Sequence, residues 1–220
     1  MSILCERPDA EFFPTIPDLH DAVHSFAANE VTSKLALLGD LFARHGVTQN
    51  FGLSMVHRHF DISKEEVLVE TLNDLNSVSV TSPWIIKDES LGEPDTETLW
   101  KMHETKMKDY VVPQTWSYDK SGHLKSFEYL ATDSPMQAPP QTFVSELYAE
   151  LKKLGLEENL GIRRIEHVRG QPTWETTPDG TRSNVVVFGA IPEELKKENY
   201  VTVLWYFDDD GSLHQEFFIE

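Results

Sequence analysis

The sequence is poor in cysteine, poor in positive charge and without a long apolar run, and each deficit removes a class of protein. One cysteine, Cys5, in 220 residues cannot form an intramolecular disulfide, which points to a reducing, cytoplasmic setting. Its acidic neighbours also deny it the electropositive surroundings that a nucleophilic thiolate needs. Nineteen Lys and Arg stand against 37 Asp and Glu, a formal net charge of −18. Such a chain has no general field for phosphate backbones or anionic lipid heads, so nucleic acid and membrane surfaces drop out as partners. No stretch of roughly 18 apolar residues occurs, which removes a helical membrane span. Residues 1–15, carrying Glu6, Asp9 and Glu11, lack the apolar centre of a signal peptide or anchor. No GxSxG, HExxH, GxxxxGK or CxxC motif occurs.

What is present suffices for a folded core: 40% hydrophobic and 10% aromatic residues. The expected organisation is an N-terminal arm over residues 1–16 and one domain over 17–220. Helical spacing of Leu19, Val23 and Phe26 after Pro17, then of Val31, Leu35, Leu38, Leu41 and Phe42 up to Gly46, predicts two helices packed as a hairpin. From residue 51 the period changes to two. Residues 51–60 read as a strand, the turn at 61–64 and the alternation over 66–70 as its hairpin partner, and 78–86 as a third strand. Residues 87–96 read as a loop, while 98–108 fit a helix or a strand equally.

Three ribbons share a turn design, with an acid and a glycine between aromatic strands: Asp119 and Gly122 after Trp116, Asp179 and Gly180 after Trp174, Asp208 and Gly211 after Trp205. The acid-rich turn at 208–210 lacks the alternating carboxylates and closing glutamate of a calcium loop. Pro139 and Pro140 precede a helix with Thr142 as its cap and Gly155 with Leu156 as its end. The fold class is therefore α+β: an N-terminal helical hairpin and one later helix on a large, curved, mainly antiparallel sheet.

Chemistry concentrates at His57-Arg58-His59. In a strand the two imidazoles share a face, with Cα atoms roughly 6.6 to 6.8 Å apart, so both rings can converge on one divalent transition metal. They would prolong the apolar face of Phe51, Leu53 and Met55 into a pocket with an imidazole floor. Glu66, with Glu70 as its alternative, is the carboxylate that would complete a two-His, one-carboxylate set. An acid/base role for His57 and His59 without a metal, or a plain hydrogen-bonded polar cluster, stands beside that reading. Arg58 points away from the pair, toward an acid on the other face or, less simply, a ligand carboxylate. His103 and His167 are further candidates for a third nitrogen, and the other five-residue set of interest, Trp84, Trp100, Trp116, Trp174 and Trp205, divides between sheet core and cavity lining.

The segment from Phe51 to Phe60, a glycine and an apolar stretch running into His-Arg-His-Phe, resembles a set of uncharacterised fungal proteins of similar size. The resemblance covers about ten residues and implies no activity or cofactor. Two functions follow from the residues. One is a small-molecule-binding protein or enzyme with a pocket on the sheet floored by His57 and His59, with or without a metal. The other is a non-catalytic acidic domain that binds a basic protein or forms a homodimer.

Overall fold

Helices form where apolar residues recur every three to four positions, and their ends follow local chemistry. The structure, a computed structural model, describes residues 2–4, 8–28, 32–73, 78–87, 90–94, 108–165, 173–178, 180–193 and 200–219. Helix α1 (Leu19–Ala28) opens on Asp18, whose carboxylate accepts the Asp21 N–H at 2.9 Å as an N-cap. The second expected helix is in three pieces: α2 (Thr32–Leu35), a 3-10 turn (Ala36–Leu38) and α3 (Gly39–Arg44). Leu35, Leu38, Leu41 and Phe42 are buried all the same. The tightened turn sets the Gly39 backbone against Gly211, where a Cβ would lie 2.4 Å from a carbonyl oxygen, so only glycine fits that crossing. Helix α4 (Gln141–Leu154) begins one residue before Thr142, and the expected threonine cap gives way to Pro140. The extended Pro140 backbone presents its carbonyl to the Val144 N–H, and no side chain caps the helix. Its C-terminus is as expected: Gly155 is left-handed, and the Leu156 N–H reaches the Leu151 carbonyl at 2.9 Å in a Schellman closure.

Twelve strands make one sheet: β1 (Ser2–Leu4), β2 (Phe51–Met55), β3 (Glu66–Asn73), β4 (Val78–Lys87), β5 (Ser90–Pro94), β6 (Tyr110–Tyr118), β7 (Leu124–Thr132), β8 (Leu160–Arg164), β9 (Thr173–Thr176), β10 (Asn184–Phe188), β11 (Tyr200–Phe207) and β12 (Leu213–Ile219). Because β3 pairs with both β4 and β7, the ladder returns on itself as a ring of ten strands, with β1 and β5 as additions. The ring consists of two antiparallel arcs. One runs β3-β4-β10-β9 and the other β12-β11-β2-β8-β6-β7, joined by the parallel pairs β9/β12 and β7/β3. All three acid-and-glycine ribbons are hairpins, and Gly122, Gly180 and Gly211 have the positive φ their turns require.

Two strand expectations are corrected. Residues 51–60 and 66–70 do not form a hairpin: β2 lies between β8 and β11, whereas β3 lies between β4 and β7. The strand stops at Met55 because the next backbone groups turn elsewhere. The Val56 N–H goes to the Asn159 carbonyl and the Arg58 N–H to the Pro17 carbonyl. The loop expected over 87–96 instead contains β5, which pairs with β4 and β1. The undecided segment 98–108 and the candidates Cys5, His103 and His167 lie outside the described residues, apart from Lys108.

Alternate residues of the larger arc face a helix-covered core. Phe51, Leu53 and Met55, Trp116, Ile162, and Val203, Trp205 and Phe207 pack with Leu35, Phe42, Phe143 and Leu147. The residues between them face the inside of the ring. Gly161 belongs to that inner series, and a Cβ there would meet the Trp116 carbonyl at 2.0 Å, which makes the β6/β8 crossing a glycine position. Phe12, Phe13 and Ile16 of the arm are buried with Val56, Leu68 and Phe127.

Candidate functional site

Eight of the ten ring strands contribute to one cavity of about 50 Å³, so the cavity is the lumen of the ring. Beyond β2 the chain crosses this lumen. The Arg58 bridge to Asp18 turns the segment, and His57 and His59 line the cavity with Ser54 and Met55, while Phe51 and Leu53 remain in the helix-covered core. The imidazoles therefore do not continue the Phe51 and Leu53 face. They meet edge to face, with ring centroids 4.7 Å apart.

Each ring is oriented by its Nδ1. The His57 Nδ1 lies 3.0 Å from the Met55 carbonyl, which can only accept, so that nitrogen is the donor. His57 is 6% exposed, and its Nε2 has no hydrogen-bond partner among the described residues. Glu175 Oε1 lies 3.9 Å from that nitrogen. Thr177 donates its hydroxyl to Asn184 Oδ1 at 3.2 Å, so its oxygen accepts from His59 Nδ1 at 3.3 Å. The Asn184 amide donates to Glu175 Oε2 at 2.8 Å, which leaves Oε1 turned to His57. Burial, reinforced by the neighbouring His57, pushes the His59 imidazole down to about 3, so it is neutral at physiological pH.

One ligand atom each from His57, His59 and Glu175 lies within 4.8 Å of the others. An ion bonded at about 2.0 to 2.2 Å to all three needs separations of roughly 3 to 3.5 Å, somewhat shorter than the 3.9 Å between His57 Nε2 and Glu175 Oε1. Two imidazoles and one carboxylate, each held from behind by a carbonyl, a hydroxyl or an amide, thus converge as a group that could hold a metal ion. The other such grouping among the described residues, Asp18, His20 and Asp21, is exposed at the start of α1, where Asp18 already serves as a cap.

Glu66, expected as the third ligand, sits elsewhere. Its carboxylate accepts from Arg182 at 2.9 and 2.7 Å and from the Ser63 N–H at 2.8 Å, and the Arg182 guanidinium holds it down at about 2. Arg58 lines no part of the lumen. It pairs with Asp61 at 3.0 Å and donates to the Ile16 carbonyl, which fastens the arm. Glu70 does reach the lumen, but in a second cluster: Arg163 bonds Glu70 at 2.6 Å, Glu128 at 2.7 Å and the Thr115 hydroxyl at 2.9 Å, and Thr115 donates to Glu128. Of the tryptophans, Trp84, Trp116 and Trp205 are core, Trp174 lines the lumen, and Trp100 lies outside the described residues.

Sequence reasoning missed Glu175, Arg163, Glu128 and Gln114. For Glu128 a signal existed, since it is a charge in the middle of a strand between Phe127 and Tyr129. Glu175 carries no local signal beyond its place in an alternating strand. No family model matches the chain, and no curated protein or solved structure matches it.

Proposed function

We propose that the protein holds a divalent transition metal at His57, His59 and Glu175 and uses it to bind, and as an enzyme to act on, a small molecule in the lumen. The observation that carries this reading is the buried His57 Nε2, which faces Glu175 across 3.9 Å and has no described hydrogen-bond partner. Leaving such an atom unserved costs about 1 to 3 kcal/mol, which an ion would recover. Three protein ligands keep at least one coordination position open for a ligand atom, as catalytic metal sites do. A cavity of about 50 Å³ admits an ion with a few water-sized groups and excludes a drug-sized ligand. The alternative, an acidic domain for a basic partner or a homodimer, rests on net charge alone.

The test is elemental analysis of protein purified without chelator, with zinc and cobalt titrations. One ion per chain is expected, lost in the double variant His57→Ala, His59→Ala. Asn184→Leu, which frees Glu175 from behind, should weaken binding by about 10- to 100-fold. No stoichiometric ion in the wild type, or equal uptake by the double variant, ends this reading.

A further inference from the structure

We propose that Gln114 selects the ligand of this lumen, accepting a hydrogen bond from a small molecule that carries an N–H or O–H group and occupies the open position of the ion. This rests on the metal reading above and adds the ligand's chemistry to it.

Gln114 is 2% exposed, lines the lumen, and its Oε1 has no hydrogen-bond partner among the described residues. It occupies an irregularity in the β6/β7 ladder: Pro113 opposes Tyr129 and Thr115 opposes Glu128, which leaves Gln114 unmatched. A β-bulge adds one residue to a strand and re-aims a side chain, commonly beside a site. Without it, Gln114 would share the parity of Trp116, which packs into the helix-covered core. The backbone irregularity thus puts a carboxamide where a plain strand would put an apolar residue. On another wall the Trp174 indole Nε1 is a buried donor, also without a described partner.

The lumen therefore holds an acceptor at Gln114, a donor at Trp174 and the open face of the ion. The about 50 Å³ available bounds a molecule in this lumen to about three to five non-hydrogen atoms. The class that fits is a short amide, hydroxamic acid or alcohol. It offers an oxygen lone pair to the ion and a polar hydrogen to Gln114. A small carboxylate of equal size lacks that hydrogen and leaves Gln114 unserved, and sites of this kind discriminate strongly against such analogues.

Formamide and formate are isosteric and differ in this respect. The full-length chain is loaded with Co²⁺ and its visible absorption followed as each is added, in the wild type and in Gln114→Leu. The formamide-to-formate affinity ratio should fall about tenfold in the variant, the loss of one buried hydrogen bond. Gln114→Met, unbranched and of similar length, repeats the comparison if the leucine variant fails to fold. If Co²⁺ binds and the ratio is unchanged, Gln114 does not select the ligand, although the metal reading stands. If the wild type shows no Co²⁺ signal, or His57→Ala, His59→Ala keeps it, the metal reading fails and takes the role of Gln114 with it.

Discussion

The two faces of the same strands are built on opposite principles. Outside, β2, β6, β8 and β11 present Phe51, Leu53, Trp116, Ile162 and Trp205 to helices that cover them. Inside, the intervening positions present Ser54, Arg163 and Leu204, joined by Gln114, Glu128 and Glu70, to a small cavity. A lumen this small could have been filled with aliphatic side chains. Buried ion groups rarely add stability over well-packed apolar residues of the same volume, because two or three charges must be taken out of water. The contrast assigns stability to the helix-covered face and leaves the lumen as the place for the proposed chemistry.

Three experiments can break that division. The largest effect is expected on the outer face, from Phe42→Ala. Phe42 is fully buried and packs against Phe143 at 4.9 Å and Phe207 at 4.7 Å between centroids. Its loss should cost about 3 to 5 kcal/mol in urea unfolding while leaving ion affinity unchanged. Loss of ion binding in the folded variant would show that the two faces are not separable. Next, Arg163→Met strands Glu70 and Glu128 and should cost about 3 kcal/mol. Replacing all three together, Glu70→Leu, Glu128→Leu and Arg163→Met, should restore most of that loss. A triple variant as unstable as the single one would make the cluster a stabilising element and contradict the contrast.

The third test is the pH dependence of the metal-free protein. His59 is held near 3 when folded, against an ordinary value of 6.5. Below pH 6.5 the unfolded chain takes up a proton that the folded chain refuses, so stability falls as pH drops from 6.5 toward 3 and is unaffected above that window. His59→Gln should flatten this part of the curve, as measured by midpoint temperature between pH 7 and 4. An unaltered slope would place the acid sensitivity elsewhere.

What was legible in the sequence is what depends on nearest neighbours along the chain. The stripe from Leu35 to Phe42, the Gly155 closure and the three acid-and-glycine turns rest on spacings of a few residues, and they stand in the structure. Partner choice between strands is not local. Alternation shows that residues 51–55 form a strand with two faces, but nothing in it says that β8 and β11, rather than β3, lie alongside. The same limit explains the site. His57 and His59 were legible as a pair two residues apart, whereas the carboxylate that completes the set, Glu175, comes from the other arc. The imidazoles leave the expected face because the strand ends at Met55, before either ring, where the Val56 and Arg58 N–H groups turn to Asn159 and Pro17.

The pairing order also has a consequence for the ribosome. His57 and His59 leave the exit tunnel early, but Glu175 follows more than a hundred residues later, and β2 finds one of its two neighbours only when β11 has been made. At about 5 to 20 residues per second, the nascent chain carries two accessible imidazoles for several seconds before the lumen closes around them. An ion taken up in that interval would meet an unfinished site, so on the proposed reading metallation would follow synthesis.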